Sequence, residues 1–132
     1  MATMQAVMLT KKGGPEVLET VELPLPEPGP GEVRVKVCAT GVGATDITMR
    51  RGFYPYAPPI PFVPGYESVG IVDAVGAGVT GLKEGDRVCA LLVHGGYATG
   101  FQQMETVLAR MGRQKALDRM VQVFTTEQRL IR

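Results

Sequence analysis

Hydrophobic and polar residues alternate in short runs over the first hundred positions, a pattern typical of β-strands with one buried face. Residues 33–37, VRVKV, alternate strictly. Further apolar runs predict strands at residues 4–9, 17–23, 68–75 and 87–93. Stretches rich in proline and glycine separate these runs. Short strands at this spacing favour a mainly β fold, as a small barrel or a sandwich.

The character of the chain changes near Gly100. All ten prolines and sixteen of the seventeen glycines lie within the first hundred residues. Beyond that point apolar residues recur at helix-like intervals: Phe101, Met104, Leu108, Met111, Leu117, Val121 and Phe124. The sequence therefore predicts a barrel domain over 1–99 and a helical tail over 100–132. The apolar side of the tail must be covered, by the chain's own barrel or by a second copy. A homo-oligomer formed through this C-terminal helix is the partner that the pattern suggests.

Size and charge exclude several classes of protein. With 132 residues, a single domain is the default expectation. A net charge of +1 gives no whole-chain case for binding nucleic acid or a membrane. No apolar run approaches the roughly 18 residues of a transmembrane helix. Two cysteines, Cys38 and Cys89, do not make a disulfide framework, so a reduced, cytoplasmic setting is the simplest interpretation. Both cysteines are expected to be buried on apolar strands.

The glycines between residues 65 and 88 have roles that backbone geometry explains. Gly70 falls inside a predicted strand, where it permits close approach of another backbone. Gly76 and Gly78 suit a turn that needs positive φ. Upstream, residues 46–51 predict a helical turn with Thr45 or Asp46 as its cap.

Several ordered motifs carry a resemblance to a known family. The stretch PGYESVGIVDAVGAGVTGLKEGDRV, together with MQAVMLTKKGGPEVLE and PEPGPGEVRVKVCATGVGATD, resembles the N-terminal catalytic domain of the medium-chain dehydrogenase/reductase superfamily. The resemblance covers residues 4–98 and implies a barrel like that of the co-chaperonin GroES. Members of the superfamily also carry a Rossmann domain that binds the dinucleotide, and the sequence does not predict one. Residues 76–81 fit the bare G-x-G-x-x-G pattern, but no helix is predicted after them.

The resemblance also bears on metal binding. Zinc alcohol dehydrogenases of this superfamily carry Gly-His-Glu where this chain has Gly65-Tyr66-Glu67, and a phenol is a poor zinc ligand. The Cys-His pair of those enzymes is replaced by Gly43-Ala44, and the four clustered cysteines of their structural zinc site are absent. We therefore expect no zinc site.

Zinc-free members of the superfamily, the quinone oxidoreductases, resemble this chain over residues 43–55. The resemblance implies NADPH as the family's cofactor, with none expected to bind this chain alone. It assigns no catalytic residue. It suggests five residues of a substrate cleft: Asp46, Arg50, Tyr54, Tyr66 and Glu67. The leading hypothesis is the catalytic-domain portion of a zinc-independent quinone or enone oxidoreductase, inactive without its cofactor domain. A non-enzymatic barrel module that binds a partner through its helix, and a co-chaperonin-like protein, are the alternatives.

Overall fold

The computed structural model describes residues 1–104 and 109–110, and strands are its main regular structure. Seven strands, one 3-10 turn and one α-helix follow in chain order: β1 (Thr3–Leu9), the 3-10 turn (Pro15–Val17), β2 (Leu18–Pro24), β3 (Glu32–Thr40), α1 (Ala44–Arg51), β4 (Glu67–Val75), β5 (Arg87–Leu91), β6 (Gly100–Met104) and β7 (Ala109–Arg110). The strands predicted from the alternating pattern are present. No helix within the described ranges is both long enough and apolar enough to cross a membrane.

The strands form two antiparallel sheets. Strands β1 and β2 make a two-stranded ribbon, and the others form a five-stranded sheet in the order β6-β3-β4-β5-β7. Two isolated bridges, Ala6 with Ala98 and Leu9 with Phe62, tie β1 to the loops around it. The mainly β prediction is confirmed. The pairings among the described strands leave the two sheets separate, so closure into one barrel stays a prediction.

Two hydrophobic clusters fill the interior. The larger lies on one face of the five-stranded sheet and includes Val33, Val35, Val72, Leu82, Val88, Ala90 and Phe101. The smaller lies between β1 and α1 and contains Leu9, Val17, Met49 and Phe62. We call this second group the α1 cluster. It positions the helix and the proline-rich loop that follows it.

Strands β3 and β4 are joined by a hydrogen bond between charged side chains, and they approach each other closely at a glycine. The Arg34 Nε donates to Asp73 Oδ1 at 2.9 Å, and this hydrogen bond raises the pKa of Arg34. At Gly70 a Cβ would lie 2.6 Å from the Val35 side chain and closer still to the Lys36 carbonyl oxygen. The prediction of close backbone approach at Gly70 is therefore confirmed.

The start of the tail differs from the sequence prediction. Residues 100–104 form strand β6, which pairs with β3 so that Phe101 lies opposite Val35. Phe101 is buried in the larger cluster. The helix prediction is wrong here, because the unpaired edge of β3 supplies backbone hydrogen bonds that outweigh a helix-like apolar spacing. The two residues of β7 are also extended. The rest of the predicted helix lies outside the described residues.

Cys38 is exposed and Cys89 is half-buried, and neither forms a disulfide bond. The prediction of a buried Cys38 is wrong. The register of β3 against β4 shifts between Val37 and Ala39, so Cys38 is the extra residue of a β-bulge. A bulge reorients the side chain that it contains, and a strict alternation pattern does not anticipate it.

Candidate functional site at the amino end of helix α1

Asp46 holds the amino end of α1 against the strand that follows it. The side chain is 4% exposed. Its Oδ2 accepts the N–H of Gly43 at 2.9 Å, and its Oδ1 accepts the N–H groups of Gly65 at 3.2 Å and Tyr66 at 3.0 Å. A buried carboxylate that accepts three backbone N–H groups holds those segments of the chain in place.

The helix begins earlier than the sequence predicts. Gly43 is the N-cap residue and Asp46 is the third residue of the helix. The expectation that Thr45 or Asp46 caps the helix is therefore wrong. Asp46 satisfies the free N–H of the cap from inside the first turn, which lets a residue without a side chain occupy the cap.

The Gly65-Tyr66-Glu67 motif is fixed on its other side by the loop after β5. The Gly96 N–H donates to the Gly65 carbonyl at 3.1 Å, and the Leu92 N–H donates to the Tyr66 carbonyl at 2.6 Å. Gly65 has φ +111, and a Cβ there would lie 2.6 Å from both the Cα and the carbonyl carbon of Gly96. Only glycine fits this position without displacing backbone.

Glu67 begins β4 and packs against a residue that the sequence analysis missed. The Thr40 Oγ1 donates to the Glu67 carbonyl oxygen at 2.7 Å. A Cβ on Gly41 would lie 3.1 Å from the Glu67 Cδ and 3.2 Å from its Cγ. Gly41 therefore makes room for the half-buried Glu67 side chain. The sequence signal for this role is a single glycine directly after a strand, which by itself indicates only a turn.

The five predicted cleft residues divide between the two ends of α1. Asp46, Tyr66 and Glu67 lie together at its amino end. Arg50 lies at the other end, where its Nη1 donates to the Gly13 carbonyl at 2.7 Å. Tyr54 follows the helix and contacts Tyr56 edge-to-face, with 5.9 Å between ring centres. An eight-residue helix is about 12 Å long, so the five residues do not surround one point.

Tyr66 has a packing role in the structure. Its ring packs against the α1 cluster, as does that of Tyr54. Within the described parts of the chain, no three His, Cys, Asp or Glu side chains are grouped to hold a metal ion. That the chain binds no zinc stays a prediction.

An open cleft runs from the β1–β2 ribbon to the residues just before α1. Its volume is about 550 Å³, and its walls are mostly apolar. At its rim Val42 is 67% exposed. The lining residues are Gln5, Ala6, Val7, Leu18, Thr20, Thr40, Val42, Tyr97, Ala98 and Thr99. The cleft adjoins the motif, because its lining residue Thr40 donates to the Glu67 carbonyl oxygen.

The turn at residues 76–81 does not have the form of a Rossmann-type cradle for a dinucleotide. The turn at residues 76–81 follows β4 directly, and Gly78 there has φ +77. The segment from this turn to β5 contains turns and bends but no helix. A pyrophosphate site of the Rossmann type needs the N-terminus of a helix at this point. Residues 76–81 therefore do not fit that group.

The family described as alcohol dehydrogenase GroES-like domain matches residues 29–122. The chain belongs to this family, and so to the medium-chain dehydrogenase/reductase superfamily. The match extends past residue 98, which is the last residue covered by the motifs.

Relatives carry two kinds of name. An alcohol dehydrogenase of Rhizobium meliloti (strain 1021) is 49% identical over 92 residues, and a quinone oxidoreductase of Rattus norvegicus is 41% identical over 97 residues. These alignments cover 70% and 72% of this chain but only 26% and 30% of the relatives. The solved structure of an Escherichia coli quinone oxidoreductase complexed with NADPH has a TM-score of 0.77 and 36% identity. That likeness covers 86% of this chain and 34% of the other. The chain thus spans about a third or less of the length of each of these proteins.

Proposed function

We propose that this chain forms the catalytic domain of a zinc-independent, NADPH-dependent oxidoreductase that reduces quinones or conjugated enones. The observation that carries the proposal is Tyr66. Its backbone is fixed by Asp46 at the position where zinc enzymes of the superfamily place a histidine, and its ring packs into the α1 cluster. A relative named quinone oxidoreductase and a solved homologue with NADPH support this branch.

NADPH, when bound, supplies a hydride to a polarised carbonyl or alkene. The part of this chain in such a reaction is to shape the substrate side. The apolar cleft would take a flat, weakly polar ring, and the rim at Val42 would exclude water from it. The segment that brings Thr40 and Val42 to the cleft is held by two contacts, from Thr40 Oγ1 to the Glu67 carbonyl oxygen and from the Gly43 N–H to Asp46. Because the described residues lack a pyrophosphate cradle, the dinucleotide would be held by a second domain.

The exposed apolar residues at the same end of the sheet favour such a partner domain. Leu91 is 52% exposed and lies opposite Glu67 in the β4–β5 register. Val42 and Val93, which is 37% exposed, follow the ends of β3 and β5. Because β3, β4 and β5 are antiparallel neighbours, these three positions lie at the same end of the sheet. Covering them would remove apolar surface from water. A cytoplasmic setting completes the proposal, supported by two cysteines that form no disulfide bond.

The chain by itself is expected to bind NADPH weakly. The turn at residues 76–81 leads into no helix, so the backbone N–H groups that would meet a pyrophosphate are missing. Fluorescence titration of NADPH against the purified 132-residue chain measures this. A dissociation constant in the low micromolar range, about −8 kcal/mol, would contradict the expectation.

The activity itself is tested in a chimera. Residues 1–98 replace the matching segment of the rat quinone oxidoreductase, and the parent enzyme is the control. We expect NADPH-dependent quinone reduction that survives chelation, with well under one zinc per chain by elemental analysis. Because the cleft residues of this chain take the place of those of the rat enzyme, which is 41% identical over the aligned segment, the preference among quinones should differ from that of the parent. A folded chimera that oxidises primary alcohols, or that loses its activity to a chelator, would overturn the proposal.

A non-enzymatic role remains the second candidate. The exposed Val42 and Leu91 would equally serve a module that binds another protein or a second copy. The C-terminal helix that was expected to mediate such contacts lies outside the described residues. A folded chimera that binds NADPH but reduces no quinone would favour this candidate.

A further inference from the structure

A second concave site lies at the opposite end of α1 from the Gly65-Tyr66-Glu67 motif. It is a partly enclosed cavity of about 410 Å³. Its walls come from the loop after β1, the end of α1 and the proline-rich loop: Lys12, Met49, Gly52, Tyr54, Ala57, Pro58, Pro59, Ile60 and Phe62. Volumes from about 300 to 1,000 Å³ are usual for sites that bind small molecules.

The walls of this cavity are held in place from two sides. The Leu9 N–H donates to the Phe62 carbonyl at 2.8 Å, and the Phe62 N–H donates back to Leu9 at 3.3 Å. The Gly13 N–H donates to the Arg50 carbonyl at 3.0 Å, and the Arg50 Nη1 donates to the Gly13 carbonyl at 2.7 Å. These two pairs fix the loop that carries Lys12 between the proline-rich loop and the helix. The cavity is therefore formed before any ligand arrives.

Lys12 brings a cation to a cavity that is otherwise largely apolar. Gly52 has φ +84, and a Cβ there would lie 3.1 Å from the Lys12 Nζ. The Lys12 side chain therefore lies across the backbone of Gly52, at the carboxyl end of α1. That end carries the negative pole of the helix dipole, which favours a cation there.

The positive charge is not neutralised by an ion pair within the described ranges. The ion pairs there belong to Arg34, while Lys11, Lys12 and Arg51 form none with residues 1–104 or 109–110. Lys11 and Arg51 are exposed beside Lys12. The nearby carboxylate of Glu16 accepts the Gly14 N–H at 3.0 Å. Backbone hydrogen bonds from Glu16 and Gly14 lower the pKa of Glu16, so this carboxylate is engaged by its own loop.

We propose that this cavity binds a small carboxylate with an aromatic body. The rings of Tyr54 and Phe62 and the flat faces of Pro58 and Pro59 suit a planar apolar group. The Lys12 ammonium at the rim suits the carboxylate, since a charge-assisted hydrogen bond is stronger than a neutral one. The site requires neither the dinucleotide nor the motif at the other end of the helix, so it stands apart from the proposed oxidoreductase activity.

The test uses phenylacetate as the probe and phenylacetamide as its neutral match. Amide shifts in ¹⁵N NMR spectra of the full chain are followed during each titration, without NADPH. We expect saturable shifts clustered at Lys12, Gly52, Ala57 and Ile60. The acid should bind at least about fivefold more tightly than the amide, the ratio expected when one charge-assisted contact is lost.

Lys12→Met removes the cation and keeps an unbranched side chain. This variant should bind the acid and the amide equally, while Lys83→Met, at another exposed lysine, should behave as the parent does. Equal affinity of the parent chain for the acid and the amide would overturn the proposal, and that comparison needs no variant. Shifts that never saturate, shifts that cluster elsewhere, or an unchanged preference in Lys12→Met would overturn it as well. Loss of the preference in Lys83→Met would mean that general charge attraction, and not the cavity, selects the acid.

Discussion

Gly65→Ala should destabilise the fold by about 3 kcal/mol or more. Gly65 has φ +111, which costs an L-residue roughly 1–3 kcal/mol on conformational grounds. The added methyl would also lie 2.6 Å from the backbone of Gly96, so the loop after β5 must move. Such a displacement breaks the hydrogen bond from the Gly96 N–H to the Gly65 carbonyl. Urea denaturation followed by circular dichroism gives the free energy of unfolding.

Gly85→Ala is the matched control for this substitution. Gly85 has a similarly positive φ of +89, but a Cβ there would meet no atom within 4 Å. The free energy of unfolding should fall by the conformational cost alone, about 1 kcal/mol, in this variant. Equal losses in the two variants would show that the close approach at Gly65 relaxes freely and that the motif is not held as described.

Asp46→Ala should be similarly damaging for an electrostatic reason. Three backbone N–H groups, of Gly43, Gly65 and Tyr66, lose their acceptor in a buried setting. Each unsatisfied donor costs about 1 kcal/mol or more, so the total loss should be about 3 kcal/mol or more. Asp46→Asn should recover only part of this, because its NH₂ group must face at least one N–H donor. The same denaturation measurement applies.

Asp73→Ala provides the comparison for an exposed carboxylate. Its bond to Arg34 is partly solvated, with the Asp73 side chain 33% exposed, so its loss should stay below about 1 kcal/mol. If Asp46→Ala costs no more than Asp73→Ala, then water reaches the three donors and Asp46 does not position the motif.

The alternation of hydrophobic and polar residues was sufficient to predict the central strands of the sheet. Residues 33–37 form the centre of β3, and Gly70 meets the Lys36 backbone as strand geometry requires. Phe101 shows the limit of such patterns. Its spacing from the following apolar residues fits a helix, yet its actual environment is decided by the free edge of β3, some 65 residues earlier. Cys38 was misplaced for a related reason, since a bulge depends on the register between two strands.

The arrangement of the candidate site could not be predicted from the sequence, and a substrate role for its residues stays a prediction. The family resemblance singled out Asp46, Tyr66 and Glu67, and these three do lie together. The role of Asp46 could not be read from spacing, because two of its donors are about twenty residues away and are backbone groups. Gly41 and Lys12 were missed since each matters through a partner distant in sequence, Glu67 for one and Gly52 for the other.

Helix α1 is tied to the rest of the molecule at both of its ends. Asp46 fastens its first turn to Gly65 and Tyr66, and Arg50 fastens its last turn to Gly13. Helix α1 therefore connects the loop at Gly13 with the segment at Gly65 through its own side chains. A displacement of Gly13 along the helix axis would move Gly65 as well, because packed interiors are stiff and transmit strain. The two ends of α1 do not move independently. A substitution that shifts the Gly13 loop therefore also shifts the segment at Gly65.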